Sequence, residues 1–129
     1  MRLSKFAFPQ SLNSLYHNRG HGTRVPHNNV SYAVLNVVFD ESLQRHDLVQ
    51  FIKEMSQKAE YKDLLAWNED PLVSGDFCGR KESAIVDFKQ LDVCRQTAQL
   101  PAWFDNEWSY SRRLCDLLYH VAKQDRSMI

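Results

Sequence analysis

Residues 103–118 read WFDNEWSYSRRLCDLL. Two tryptophans bracket the acid–amide–acid run Asp105, Asn106, Glu107. A helical pattern follows, with Leu114, Leu117, Leu118 and Val121 on one face. Residues 97–105, TAQLPAWFD, are a strand candidate; Pro101 removes a ladder donor, so this strand is expected at an edge or bulged. Asp105 or Asn106 is the expected helix N-cap, and Glu107 suits the positive helix end. The stretch thus reads as a strand running directly into a capped helix. Such a junction is either a surface turn or a polar site between a strand end and a helix mouth, and spacing alone leaves both open.

Further back, residues 29–40, NVSYAVLNVVFD, are rich in β-branched and aromatic residues. Ala33, Leu35, Val37 and Phe39 take one face, and Val30, Tyr32, Val34 and Val38 the other. With both faces apolar and only Asn36 interrupting, this is expected to be a strand buried in the middle of a sheet. Leu48, Phe51, Ile52, Met55 and Ala59 fall at helical spacing, which predicts one amphipathic helix over 44–60 covering a sheet face. Short strands are expected at 71–77, 83–88 and 91–96, punctuated by Gly75, Gly79 and the charged GRKE, in antiparallel hairpins. The order strand, helix, strands, helix gives an α+β fold: a mixed, mainly antiparallel sheet with helices packed on one face.

The totals bound the function. A chain of 129 residues fits one domain with a modest core. Lys plus Arg and Asp plus Glu both number 16, so net charge offers no case for nucleic acid, and no apolar run approaches membrane-spanning length. The charge is unevenly spread: no acid precedes Asp40, while Arg2, Lys5, Arg19 and Arg24 do, beside His17, His21 and His27. An anion site, a tail or a transit peptide would each fit; Pro9 and the Ser/Asn-rich stretch after it break an amphipathic helix and favour a tail. Cys78, Cys94 and Cys115 match no zinc pattern and read as reduced cytosolic thiols.

Individual residues carry weak chemical signals. The three early histidines are separated by glycines and Pro26, so exposed loop histidines are favoured over a metal site, and no metal ligand is assigned. Cys78, near Arg80 and Lys81, is the only plausible reactive thiol, with an incidental thiol the favoured reading. Arg24 at a strand entrance fits either an anion held in forked hydrogen bonds or a surface salt bridge. Asn106 offers an amide donor and a carbonyl acceptor, which suits recognition of another amide, and equally suits a cap. Tyr110, one turn on, covers a ring or joins the core. There is no G-x-G-x-x-G, Walker loop, H-E-x-x-H or G-x-S-x-G.

Three ordered segments, spanning about residues 22–122, resemble the glyceraldehyde-3-phosphate dehydrogenase family. WFDNEWSYSRRLCDLL resembles its W-Y-D-N-E-x-G-Y-S segment. TRVPHNNVSYAVLNVVF is similar to its R-V-P-T-x-N-V-S strand, and PLVSGDFCGRKESAIVD to its V-S-S-D-F…H-x-x-x-x-D stretch. Erythrose-4-phosphate dehydrogenase is a close alternative. The resemblance covers only the last third of such an enzyme. It divides the chain into an irregular basic segment at 1–21, a partial C-terminal catalytic-domain-like unit at 22–125 and a tail at 126–129.

The resemblance implies an NAD-dependent, phosphorylating oxidation of an aldehyde in glycolysis. By position Arg24 resembles the arginine that holds the substrate phosphate, Asn106 the asparagine that bonds the nicotinamide carboxamide, and Tyr110 the tyrosine near that ring. No S-C-T-T-N stands in the chain, and its cysteines fall where the family needs no nucleophile, so no catalytic residue is assigned. The Rossmann domain and the catalytic cysteine and histidine would lie outside this stretch. The expectation is a cytoplasmic fragment inactive alone that binds NAD poorly. It would take a sugar-phosphate substrate as part of the family's site and form a homo-oligomer or join a full-length homologue, without nucleic acid or membrane. A non-catalytic oligomerisation module or a truncated gene remnant are the alternatives. His27 in place of threonine, Gly75 in place of the second serine of V-S-S-D-F, Ser109 in place of glycine, and the bulky Arg112 and Arg113 depart from the family pattern and weaken the nicotinamide wall.

Overall fold

A computed structural model describes residues 29–126. The elements in chain order are β1 (Ser31–Val38), α1 (Arg45–Gln57), β2 (Leu65–Asn68), β3 (Ala84–Asp87), β4 (Asp92–Cys94), β5 (Thr97–Phe104) and α2 (Asn106–Arg126). The sheet runs β1-β5-β3-β2, with β4 also paired to β5. Every pairing is antiparallel except β2 with β3, which is parallel. The expected mixed, mainly antiparallel α+β fold is therefore present.

The core forms where α1 lies on the sheet. Leu48 and Ile52, one helical turn apart, are buried against Val86, Phe88, Leu91 and Ala98, with Leu43 closing the cluster. Each of the larger side chains withdrawn from water contributes about 1.5–3 kcal/mol, and Ala98 less. Arg45 fixes the start of α1 by donating to the carbonyls of Leu91 and Phe88. Lys53 stands 4.4 Å above the Trp67 ring and pairs with Glu69 at 2.6 Å. The predicted helix to residue 60 instead ends at Gln57, and a 3-10 turn follows at Ala59–Tyr61.

Strand alternation sends Ile85 and Trp103 to the opposite face. There Phe77 stacks on Trp103 with ring centroids 5.1 Å apart, Tyr32 meets the same indole at 4.4 Å, and Ile85, in register with Trp103, is buried. The Trp103 indole N–H donates to Asp87 Oδ2 at 3.2 Å, and the Lys89 amide donates to Asp87 Oδ1 at 3.0 Å, so the buried carboxylate is held on both oxygens.

Strand placement departs from the sequence expectation in four places. β1, expected in the sheet interior, is its edge, with Tyr32, Val34, Leu35 and Val38 exposed. β5, expected at an edge, is interior: β1 pairs along one side of it while β4 and β3 share the other. The pairings with β4 and β3 stop at Gln99 and resume at Ala102, so Pro101 sits in the gap where a missing N–H breaks no rung. Residues 71–77 form no strand; Asp76 accepts from the Val73 amide at 2.8 Å and a 3-10 turn covers Ser74–Phe77. The parallel strand β2 falls in LAWN, which is too short to show a period.

Candidate functional site

The junction of β5 and α2 is built by Asp105, which lies between Phe104, the last residue of β5, and Asn106, the first of α2. Its Oδ1 accepts from the Trp108 amide at 2.9 Å, an N-cap bond, and its Oδ2 accepts from the Gly79 amide at 2.9 Å. Asp105 is buried, and these backbone donors, Gly79 first and Trp108 next, hold its carboxyl below the ordinary value of 3.8 against the opposing effect of burial. Gly79 has φ +72°, which a residue with a Cβ adopts only under strain. One carboxylate thus caps the helix and ties the loop after Phe77 to its mouth.

With Asp105 as the cap, Asn106 has no capping work. Its side chain is exposed and makes no hydrogen bond among the described residues, at the end of α2 where the helix dipole is positive. Tyr110 stands one turn on, on the same face, and is 68% exposed, so it is not core. Ser109, the departure from glycine, is buried and donates its hydroxyl back to the Asp105 carbonyl at 2.6 Å; the helix accommodates it without disturbing the face that carries Asn106 and Tyr110. Gly75 is likewise no steric necessity, since a Cβ there would meet nothing within 4 Å.

The register brings a third region close. Ser31 pairs with Phe104, so the chain enters β1 at the sheet end where α2 begins. Arg24 lies seven positions before Ser31 and outside the described residues, as do His17, His21 and His27. Asn106 and Tyr110 are therefore brought together, while Arg24 is not located.

Beside the α2 mouth an open depression of about 440 Å³ is lined by Gly79, Arg80, Lys81, Glu82, Trp108 and Arg112. Its charges are largely paired: Arg80 with Glu82 at 3.1 Å and Lys81 with Asp63 at 2.6 Å. Burial raises the Glu82 carboxyl, but the Arg80 guanidinium, a backbone hydrogen bond and the Lys81 charge together outweigh it, and the net shift is downward. The Lys81 ammonium, by hydrogen bond and charge, lowers Asp63. Arg113, one of the departures from the family pattern, turns to the Asp63 carbonyl at 3.1 Å and Asp116 at 3.0 Å. Sequence reasoning missed this arrangement because the Asp105–Gly79 contact closes across 26 positions with no local signal. The three cysteines are exposed.

An interior strand, β5, thus runs into the mouth of α2, which displays an amide at Asn106 and, one turn on, a phenol at Tyr110. The model of the glyceraldehyde 3-phosphate dehydrogenase C-terminal domain matches residues 10–106. The chain belongs to that family, by its C-terminal domain. Arg24 and Asn106 lie inside the match; Tyr110 lies beyond it. Among relatives, glyceraldehyde-3-phosphate dehydrogenase of Schizophyllum commune is 40% identical over 106 residues, covering 81% of this chain and 31% of that protein. The Colletotrichum lindemuthianum enzyme is 41% identical over 84% of this chain and 32% of its own length. The cytosolic enzyme of Chlamydomonas reinhardtii is 40% identical over 81% and 31%. The chain thus spans about a third of the curated relatives it matches. No helix among the described residues is long and apolar enough to cross a membrane.

Proposed function

We propose that these residues supply one wall of the active-site crevice of a glyceraldehyde-3-phosphate dehydrogenase-like oxidoreductase, acting in the cytoplasm on a sugar phosphate. Asn106 meets the carboxamide of the nicotinamide with its amide donor and acceptor, Tyr110 flanks the ring, and Arg24 takes the substrate phosphate in forked hydrogen bonds. NAD, when bound, supplies the hydride acceptor. The observation that carries this reading is the division of labour at the helix mouth: Asp105 makes the cap bond, and Asn106 is left facing outward beside the end of β1.

An exposed amide and phenol on one helical turn form a single wall and do not enclose a ring, so affinity for NAD within these residues is weak. Aldehyde oxidation through a thioester also needs an activated thiolate. Residues 1–129 carry no S-C-T-T-N segment, and we infer that this polypeptide by itself has no turnover. The test is NADH formation from glyceraldehyde-3-phosphate, phosphate and NAD by the purified 129-residue chain, with erythrose-4-phosphate as a second substrate. The expected signal equals that of a blank without substrate; a rate above it overturns the inference. Binding is read separately, by NMR titration with NAD, in which the Asn106 side-chain amide shifts and Asn106→Ala abolishes the response. An unmoved Asn106 signal at saturating NAD sinks the wall reading.

A second reading, a non-catalytic module that joins its own copies or a full-length homologue, is favoured by α2. Leu114, Leu117, Leu118 and Val121 lie on its surface with 46–62% exposure, a stripe with the amphipathic spacing of a helix that packs on something.

A further inference from the structure

The Asn106 side chain makes no hydrogen bond among the described residues, so its direction is set by the backbone at the first position of α2. The opening turn of a helix frays unless its free amides find partners. Here the contacts that hold the turn converge one residue earlier, on Asp105. Its carbonyl accepts from the Ser109 amide at 2.9 Å and from the Ser109 hydroxyl at 2.6 Å. Its Oδ1 accepts from the Trp108 amide at 2.9 Å.

A cap needs one side-chain oxygen, and Asp105 engages two. Oδ2 accepts from the Gly79 amide at 2.9 Å, across 26 positions of sequence. Gly79 meets it in the left-handed backbone, at φ +72°. Both bonds are charge-assisted and lie out of water, since Asp105 is only 3% exposed. Serine or asparagine would cap α2 as well. Neither bridges two backbone donors: a serine hydroxyl is a single short acceptor, and an asparagine turns its NH2 toward one of the two N–H groups. The carboxylate therefore does more than a cap requires. It joins the loop after Phe77 to the residue that carries Asn106.

We propose that Asp105 is a positioning residue for the nicotinamide contact. By bridging Gly79 and the mouth of α2, it fixes the direction in which Asn106 presents its amide. The inference rests on the crevice reading of Asn106 and adds to it a buried residue that acts through its neighbour. Pairing one amide with another through donor and acceptor together tolerates little rotation, because hydrogen bonds weaken steeply as they bend.

The test is NMR on the purified 129-residue chain titrated with NAD, in the wild type and in two variants. Asp105→Ser keeps a capping oxygen and deletes the bridge. Gly79→Val keeps Asp105 and its cap but drives the loop out of the left-handed backbone, which a β-branched residue resists. A Cβ at Gly79 meets nothing within 4 Å, so that change acts through the backbone. Slow exchange of the Trp108 and Ser109 amides reports an intact cap, and fast exchange of the amide at position 79 reports a broken bridge. With the cap intact and the bridge broken, the NAD concentration that half-shifts the Asn106 side-chain amide is expected to rise about tenfold, within the range of coupling between residues of one network. A wild-type half-shift in either variant under those conditions leaves Asp105 a cap alone and overturns the inference, while the crevice reading stands. An Asn106 signal that NAD fails to move in the wild type removes the crevice reading and this inference with it. Should one variant lose the cap or fail to fold, the other decides, because each breaks the bridge from a different side.

Discussion

The Asp105 carboxylate and the Gly79 amide meet at 2.9 Å across 26 positions of sequence. The same carboxylate caps α2 through Trp108. Removing it strips a helix of its cap and a left-handed glycine of its anchor. Asp105→Ala is expected to lose about 1–2 kcal/mol of stability, the usual cost of a lost N-cap. Asp105→Asn, which keeps one acceptor oxygen, loses less. Urea unfolding midpoints of the three proteins check the order.

Acid should find the same contact. The folded carboxyl of Asp105 titrates below its ordinary 3.8, so its stabilising contribution is complete above that value and drains away as pH falls through the folded value. Asp105→Asn is expected to flatten the stability profile in that acid window. An identical acid slope in the wild type and the variant would contradict this.

Trp103 joins two interactions that one substitution separates. Trp103→Phe keeps an aromatic ring against Phe77 but deletes the N–H that serves Asp87 Oδ2. The buried carboxylate is left one donor short, an expected loss of about 1–3 kcal/mol. Asp87→Asn combined with Trp103→Phe should lose less than the sum of the two single changes, and a double-mutant cycle measures the coupling.

Arg95 turns the β4–β5 hairpin at φ +54°, and its carbonyl receives the Leu43 amide at 2.9 Å. The left-handed backbone strains a residue with a side chain, so Arg95→Gly is expected to raise stability by up to about 1 kcal/mol. A fall in the thermal midpoint would show that the arginine side chain matters more than the backbone.

The two helices should respond oppositely to truncation. Leu48→Ala opens a cavity in the core under α1 and is expected to cost about 2–5 kcal/mol. Leu117→Ala on α2 removes an exposed side chain and should change stability by less than about 0.5 kcal/mol. Measured on the same chain by urea unfolding, the contrast tests whether the α2 stripe packs on its own sheet.

Local pattern was enough wherever the physics was local. The period of Leu48, Phe51 and Ile52 located α1, and the acid–amide–acid run located the start of α2 and narrowed its cap to Asp105 or Asn106, between which the Asp105–Trp108 bond decides. Asn106 and Tyr110 stood out only through the resemblance, since pattern alone left each of them open between a structural and a binding part. β2 escaped because LAWN holds only four residues. The stretch 71–77 was misread as a strand because its apolar content resembles one, whereas Asp76 folds it into a turn by bonding back to Val73.

What the sequence alone determined about this protein is its membership of a family, its α+β class and the place where its last helix begins, since motif, period and capping are written in neighbouring positions. Only the tertiary structure decided that β1 is an outer strand and β5 an inner one. Strand composition reports how much apolar surface a strand offers, not which strands arrive to cover it. Pro101 could enter the interior because β4 ends and β3 begins on either side of it, and that gap exists only once three separate strands have assembled.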